Sequence, residues 1–225
     1  MLKKITIAVD AMGGDNSPEK VINGICHYSK NTQNIFYKIF GDSEKIKKII
    51  PKSLPQSSFE IINTKNDVKG TDSALSAAKK GKETSMWLAI DSVKNKESDI
   101  IISAGNTGAL FVIAKLNLKM IENIDKPALS GLWPNKNGTN IVLDLGANVE
   151  CNEKNLIDFS LMGSALFKAL FPDQNPKVAL LNIGSEEIKG NETIKNTYKK
   201  LSSQNNNIYE FKGYIEGNEM MSGDV

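Results

Sequence analysis

The sequence contains no arginine and very little histidine or cysteine. All 28 basic residues of the 225-residue chain are lysines, so no guanidinium group is available to hold phosphate in a bidentate manner. A bound phosphate would need lysine, hydroxyl, amide or backbone N–H groups. The single His27 and the widely spaced Cys26 and Cys151 form no metal-ligand pattern, and two cysteines make no disulfide framework. We therefore expect no metal, no cofactor and a reducing, cytoplasmic location.

Strong net charge and long apolar runs are also missing. The formal net charge of +2 is too small for the basic surface of a nucleic-acid-binding protein. No segment approaches the roughly 18 consecutive apolar residues that span a bilayer. Asp10 interrupts the first apolar run too early for a signal peptide. These features predict a soluble protein, with weak peripheral contact to a membrane surface left open.

Short apolar runs rich in β-branched residues alternate with amphipathic stretches. Strands are predicted at 5–9, 35–40, 59–62, 99–103, 128–133, 139–145, 178–183 and 208–211. Helices are predicted at 18–29, 43–50, 71–80, 84–93, 109–120, 155–171 and 192–201. Ser17 is the expected N-cap of the first helix, with Pro18 at its first position. The alternation predicts an α/β fold with a mainly parallel sheet, whose ligands bind at the C-terminal ends of strands.

Four predicted strand-to-helix loops are rich in glycine, asparagine and aspartate. They are Asp10–Asn16, Ser103–Gly108, Asp144–Asn148 and Asn182–Glu192. Glycine allows close backbone approach, and a helix N-terminus behind each loop offers free N–H groups to an anion. Any one loop by itself is better explained as a tight turn. Four at equivalent positions predict a crevice for anions at one edge of the sheet.

None of these loops is a known nucleotide-binding fingerprint. The first lacks G-x-G-x-x-G, and no G-x-x-x-x-G-K-[ST] sequence occurs, which excludes a P-loop. The α/β pattern is therefore the only feature that favours a nicotinamide-dependent dehydrogenase, which makes that function a weaker alternative.

Several ordered motifs resemble the bacterial phosphate acyltransferases of lipid synthesis. The matching segments are Ile7–Asn16, Lys82–Met86, Ser103–Leu110, Leu143–Val149, Leu181–Gly184 and Lys189–Glu192. They follow the order and spacing of that family from residue 5 to about residue 217. Glu83 and Thr84 replace the usual aspartate and serine, which keeps a carboxylate and a hydroxyl. Because the family's chains continue for roughly half this length again, the resemblance implies a shortened chain.

The resemblance implies one activity, one fold and several partners. The activity is transfer of a fatty acyl group from acyl-acyl-carrier-protein to inorganic phosphate. The fold is a three-layer αβα, Rossmann-like architecture similar to isocitrate and isopropylmalate dehydrogenases, with residues 1–225 forming one domain that lacks its C-terminal part. The partners are an acidic carrier protein and a second copy in a homodimer. Lysines at 45, 47, 48 and 52, or at 195, 199 and 200, are candidates for contact with the carrier, although each cluster alone is explained as a solvated helix face.

The candidate site residues follow from the motifs. In this hypothesis, phosphate lies at the helix start between Gly105 and Gly108, near Lys82, with hydrogen bonds from Asn106 and Thr107. The amides of Asn148 and Asn182 are the candidate donors to the thioester oxygen as it becomes an oxyanion. The remaining candidates for substrate binding or orientation are Asp10, Gly13, Gly14, Asp15, Ser103, Asp144, Gly146, Gly184, Lys189 and Asn191.

Other interpretations remain open at this stage. The donor is either acyl-carrier-protein or acyl-coenzyme A, since the chemistry is the same. A chain without its last core strands is also consistent with a binding or interaction protein rather than a catalyst. Lys82 is one of 28 lysines, and a lysine at a helix start is usually only solvated. Cys151 is conceivable as an acyl carrier, although direct attack by phosphate needs no covalent intermediate.

Overall fold

A computed structural model describes residues 4–32, 34–184, 186, 189–204 and 206–225. The chain divides into two compact units, Met1–Lys119 and Met120–Val225. The strands are β1 Ile5–Asp10, β2 Ile35–Gly41, β3 Phe59–Asn63, β4 Ile100–Ser103, β5 Ser130–Asn135, β6 Gly138–Leu143, β7 Lys177–Leu181 and β8 Glu210–Ile215. The helices are α1 Glu19–Ser29, α2 Ser43–Ile49, α3 Ala74–Lys79, α4 Ser85–Lys94, α5 Thr107–Leu118, α6 Glu153–Leu170 and α7 Glu192–Ser203.

The first unit is built on a parallel four-stranded sheet in the order β3-β2-β1-β4. Because side chains alternate along β1, Ile7 and Val9 pack into one core with Ile22 of α1 and Ile46 of α2. Ala8 points to the other face, where it packs with residues of α4. Helices therefore cover both faces of the sheet, which is the expected three-layer arrangement.

The start of α1 differs from the sequence prediction. The helix begins at Glu19, and Pro18 occupies the N-cap position without a capping side chain. The hydroxyl of Ser17 instead donates a hydrogen bond to the carbonyl oxygen of Gly13 at 2.5 Å. The predicted capping role of Ser17 was wrong because its hydroxyl closes the preceding glycine-rich turn.

The second unit contains two separate two-stranded sheets. Strands β5 and β6 form an antiparallel hairpin, and β7 and β8 form a parallel pair. A core of Leu180, Leu201 and Tyr209 joins β7 and α7 with the start of β8. Helix α6 begins at a capping box formed by Asn152 and Asn155, whose side chains accept each other's backbone N–H groups.

Every predicted strand and helix is present, with ends shifted by a few residues. The α/β class and the mainly parallel pairing are confirmed, with the β5–β6 hairpin as the antiparallel element. The expectation that 1–225 form one family domain stays a prediction.

Candidate functional site

Asp10 ends β1 as a buried carboxylate and lies at the centre of the first unit's loops. Its side chain is only 1% exposed. Ser85 Oγ donates to its Oδ1 at 2.6 Å, and Ser103 Oγ donates to its Oδ2 at 2.7 Å. Burial raises the pKa of Asp10, and the hydroxyl hydrogen bonds partly oppose that shift. The carboxylate therefore joins β1, β4 and the start of α4.

The first two glycine-rich loops touch through their backbones. A Cβ on Gly13 would lie 2.8 Å from the backbone nitrogen of Gly105, and one on Gly14 would lie 2.4 Å from the carbonyl oxygen of Ala104. Gly14 also has a φ of +89°, a conformation that L side chains rarely adopt. No side chain fits at these positions without displacing the neighbouring loop. Glycine is required here by contact between the two loops, not by turn chemistry alone.

The N-terminus of α4 completes this arrangement. Thr84 caps the helix by accepting the backbone N–H of Trp87, and Ser85 reaches Asp10. A Cβ on Gly105 would lie 3.1 Å from Met86 Cε, so the second loop packs on the first turn of α4. Sequence reasoning missed Ser85, although it lies within the matched 82–86 segment. The signal that could have identified Ser85 is its position directly after the Thr84 N-cap, in a segment that already resembled a family motif.

Asn106 is the N-cap of α5. Its Oδ1 accepts the backbone N–H of Ala109 at 3.0 Å. Its Nδ2 donates to the carbonyl oxygens of Gly70 and Asp72, at 3.0 and 2.8 Å. Both ends of the amide are thus engaged within the first unit. The N–H groups in the first turn of α5, including those of Thr107 and Gly108, have no carbonyl partner inside the helix and can receive an anion.

Lys82 and Asp15 lie on the surface. Within the described ranges, the Lys82 ammonium group has no ion-pair partner. It precedes the N-cap of α4 by two residues, so it is attached to the turn that carries Ser85. The structure therefore brings together Asp10, Gly13, Gly14, Ser103 and Gly105, and it leaves the Lys82 side chain exposed.

The third loop, in the second unit, is organised around Asp144. This residue has a φ of +61°. Its Oδ1 accepts the backbone N–H and the Nδ2 of Asn148, at 3.2 and 2.9 Å. Asn148 Nδ2 also donates to the carbonyl oxygen of Pro127 at 2.9 Å, so both of its amide hydrogens are used. Gly146 adopts a φ of +86° at the tip of this turn.

Cys151 is held as a thiol beside this loop. Its Sγ donates to Asp144 Oδ2 at 3.2 Å. Burial, together with the neighbouring carboxylate, raises the pKa of Cys151 to about 11. A nucleophilic cysteine needs the opposite shift, because the thiolate is the reactive form. The surroundings of Cys151 therefore disfavour an acyl-cysteine intermediate.

The fourth loop is closed by the buried side chain of Asn182. Its Nδ2 donates to the carbonyl oxygens of Gly184 and Lys189, at 3.0 and 3.2 Å. Its Oδ1 is buried and has no partner among the described residues. Asn191 caps α7 by accepting the N–H of Ile194 at 2.9 Å, and the Lys189 side chain is exposed. Ser185 and Glu187, which the sequence also placed in this loop, lie outside the described residues.

The structure thus brings the first and second loops together in the first unit. In the second unit, the third and fourth loops are each held by hydrogen bonds from their own asparagine side chains. The convergence of all four on one crevice stays a prediction. In the described ranges, no group of three or more histidine, cysteine, aspartate or glutamate side chains is placed to hold a metal ion.

Comparison with known proteins assigns this architecture. A family profile described as "Fatty acid synthesis protein" matches residues 5–225. The chain belongs to this family. Its curated relatives are acyltransferases, so the family is one of enzymes in lipid biosynthesis.

The chain is 72% identical over 225 residues to a phosphate acyltransferase of Pelagibacter ubique, of which the match covers 67%. It is 42% identical over 228 residues to a phosphate acyltransferase of Parvibaculum lavamentivorans, of which the match covers 63%. The chain therefore spans about two thirds of the length of these family members.

Two solved structures share the fold. A EutD phosphotransacetylase from Staphylococcus aureus superposes with a TM-score of 0.65 at 16% identity, covering 96% of this chain and 70% of that one. A branched-chain phosphotransacylase from Enterococcus faecalis gives a TM-score of 0.56 at 14% identity, covering 92% and 66%. At these low sequence identities, the structural similarity establishes the fold of this chain and nothing about its activity. Among the described residues, none of the helices has the length and hydropathy needed to cross a bilayer.

Proposed function

We propose that the chain transfers a fatty acyl group from acyl-acyl-carrier-protein to inorganic phosphate, giving acyl phosphate and the free carrier thiol. Family membership supports acyl transfer to phosphate. The observation that carries the assignment to residues is the loop junction of the first unit. There buried Asp10 accepts hydrogen bonds from Ser85 and Ser103, and Ser103 Oγ accepts the N–H of Gly105 in the loop that precedes α5. This arrangement presents backbone N–H groups in a fixed geometry.

Phosphate binds at the N-terminus of α5 in this proposal. The helix runs for 12 residues from Thr107, so its dipole and its first N–H groups favour an anion there. Gly105 and Gly108 carry no side chain that would cover those groups. Lys82, which has no ion-pair partner in the described part of the chain, supplies the positive charge that arginine supplies elsewhere.

The chemistry needs positioning more than acid–base catalysis. Phosphate is partly dianionic at neutral pH, so one of its oxygens attacks the thioester carbonyl carbon without a strong base. The carbon–sulfur bond then breaks, and the thiolate leaves with its electron pair and is protonated from solvent. A thiol with a pKa near ~8.5 is a good leaving group, which fits a site without a catalytic histidine. The protein's contribution is to hold the reactants together and to stabilise the oxyanion.

The amides of Asn148 and Asn182 remain the candidate oxyanion donors of the second unit. Asn148 donates to Asp144 Oδ1 and to the carbonyl oxygen of Pro127. Asn182 donates to the carbonyl oxygens of Gly184 and Lys189. Donation to the substrate would require exchange of one of these bonds. We therefore rank the backbone N–H groups at the start of α5 first among the stabilising donors, with the two asparagines holding loop shape.

An acidic carrier protein would meet a lysine-rich face. On α7, Lys195 pairs with Glu192, and Lys200 pairs with Glu153. On α2, Lys45 pairs with Asp42. Lys47 and Lys48 are exposed and have no ion pair within the residues described, whereas on α7 this holds for Lys199 alone. We therefore place the carrier on the α2 face rather than on α7. The resemblance adds a homodimer to the proposal, and weak peripheral contact with a membrane surface stays a prediction.

A pair of lysine variants tests the phosphate site. Lys82 and Lys94 are both exposed and flank α4, one before its N-terminus and one in its last turn. Lys82→Ala is expected to lower kcat/KM for phosphate on the order of 100-fold, because it removes a charge that faces phosphate. Lys94→Ala should leave it within about twofold. Equal effects of the two variants on thiol release would remove Lys82 from the site.

The donor is decided in the same assay. Acyl-carrier-protein and acyl-coenzyme A thioesters of one chain length are compared at equal concentration. Preference for the carrier protein, weakened by Lys47→Glu with Lys48→Glu, supports the proposal. Equal use of both donors would favour a general phosphotransacylase instead.

A further inference from the structure

Lys82 begins a turn that is fixed to the loop junction of the first unit. The carbonyl oxygen of Glu83 accepts a hydrogen bond from Thr64 Oγ1, and the backbone N–H of Ser85 donates to the carbonyl oxygen of Asn66 at 3.0 Å. The Ser85 hydroxyl in turn donates to the buried carboxylate at the end of β1. The backbone after Lys82 is therefore held to β1 and to the segment after β3, while its side chain is exposed.

Two lysines that precede Lys82 in this region are held by carboxylates. Lys69 Nζ lies 2.7 Å from Asp67 Oδ2, and Lys80 is paired with Asp72. The hydrogen bond to Asp67 raises the pKa of Lys69, which lowers its fraction of neutral amine. Lys82 has no ion pair within the described part of the chain. Of these three lysines, Lys82 is thus the one whose amine no described carboxylate engages.

The lack of arginine in the sequence gives this free amine a chemical consequence. A guanidinium group stays protonated in proteins, whereas a lysine amine becomes a nucleophile whenever it loses its proton. The product of the proposed function is an acyl phosphate, a mixed anhydride whose carbonyl carbon reacts with amines. A chain that meets this product with lysine instead of arginine therefore places a nucleophile beside an electrophile.

We propose that Lys82 is a modification site, at which acyl phosphate transfers its acyl group to the lysine amine. This inference rests on the proposed function, which puts the phosphate group beside Lys82. The neutral amine nitrogen attacks the carbonyl carbon, and a carbon–nitrogen bond forms. The carbon–oxygen bond to phosphate breaks, phosphate leaves with the electron pair, and the nitrogen loses its proton to water. The result is a neutral amide that carries the fatty acyl chain.

Acylation of Lys82 acts back on the reaction. An amide has no positive charge, so the modified chain loses the cation that is proposed to attract phosphate. Accumulated acyl phosphate therefore slows its own formation. Because an amide hydrolyses very slowly, the loss of activity persists after free acyl phosphate has been removed.

The test adds synthetic octanoyl phosphate, below its micelle concentration, to the folded chain. Octanoyl-lysine is mapped over time by residue-resolved mass spectrometry. Lys82 should be modified roughly tenfold or more faster than Lys94, which is also exposed and has no ion pair in the described ranges, because the anion site holds the reagent beside Lys82. Lys69 and Lys80 should also react more slowly than Lys82, since their amines are paired.

Three controls make the result specific to the folded site. Excess inorganic phosphate competes with octanoyl phosphate, so it should slow acylation of Lys82 and leave that of Lys94 unchanged. Sodium chloride at the same ionic strength should protect Lys82 less than phosphate does. In urea the preference for Lys82 should disappear. The adduct should survive hydroxylamine, which cleaves esters and thioesters but leaves amides intact.

Uniform acylation of the exposed lysines, or preference for a different lysine, overturns the proposal. So does a preference for Lys82 that excess phosphate leaves unchanged. The reagent is supplied directly, so the result does not depend on turnover of a thioester. Phosphate-dependent thiol release without selective modification of Lys82 therefore refutes the modification site alone. Selective, phosphate-protected modification without thiol release refutes the proposed function and leaves the modification site standing.

Discussion

At the scale of single residues, the thiol of Cys151 lies 3.2 Å from the Asp144 carboxylate, and burial raises its pKa to about 11. Its thiolate fraction at pH 8 is then roughly 100-fold below that of a cysteine with the ordinary value of 9.0. Iodoacetamide should therefore modify Cys151 about 100-fold more slowly in the folded protein than in the same protein unfolded in urea. Residue-resolved mass spectrometry measures both rates. Similar rates, or a trapped acyl group on Cys151, would restore the covalent route.

Asp10 gives a prediction about pH. Its pKa in the folded protein is raised above the ordinary value of 3.8 by burial. The protonated form therefore stabilises the fold, and this contribution is present below about pH 3.8 and is lost as the pH rises through the folded pKa. Asp10→Asn should gain stability relative to the parent as the pH rises from acid to neutral, measured by urea unfolding at several pH values.

Asp42 is the matched control for that measurement. Its pKa is lowered, chiefly because its carboxylate accepts the backbone N–H of Lys45 as the N-cap of α2. The contribution of Asp42 is present above the ordinary pKa and is lost as the pH falls. Asp42→Asn should therefore lose stability relative to the parent as the pH rises. A pH-independent difference for Asp10→Asn would show that its carboxylate is not perturbed in the folded protein.

At the scale of elements, the N-cap of α5 holds the loop at which we propose that phosphate binds. Asn106→Ala is expected to lower the free energy of unfolding by about 1 kcal/mol, because the N–H of Ala109 loses its acceptor. Asn106→Ser keeps an N-cap oxygen and should recover most of that loss. Urea unfolding of the two variants provides the comparison. Equal destabilisation by alanine and serine would mean that the Nδ2 contacts to Gly70 and Asp72, not the cap, carry the effect.

The elements themselves were predictable from hydrophobic periodicity and turn residues. Strands such as β1 and β4 are short apolar runs that end at glycine-rich turns, and α6 carries an apolar stripe that ends before Pro172. The start of α1 was not predictable from the sequence. A serine hydroxyl can bond either to the N-terminus of the following helix or to the preceding turn, and that of Ser17 donates to the carbonyl oxygen of Gly13. Local propensity does not decide between such competing partners.

The candidate site was only partly predictable for a similar reason. Asp10, Gly13 and Gly105 were identified, and the structure brings them together in the first unit. The involvement of Ser85 depends on a contact between residues 75 positions apart, which no local pattern encodes. Likewise, the sequence identified Asn148 and Asn182 as polar loop residues but gave no sign that their amide hydrogens are used within the loops.

At the scale of the whole molecule, the two compact units have different roles in the proposed reaction. The first holds buried Asp10 and the helix start at which we propose that phosphate binds, and the second holds the loops of Asp144 and Asn182. The chain spans about two thirds of the length of its curated relatives. Whether these 225 residues carry out the full reaction is thus the central question for this family member.

The most direct measurement incubates the purified chain with acyl-carrier-protein thioester, with and without inorganic phosphate, and follows free thiol together with acyl phosphate trapped by hydroxylamine. Circular dichroism and cooperative melting first establish that the chain is folded. The account predicts thiol release that depends on phosphate and yields one acyl phosphate per thiol. No release from the folded chain, or release without acyl phosphate, would contradict it.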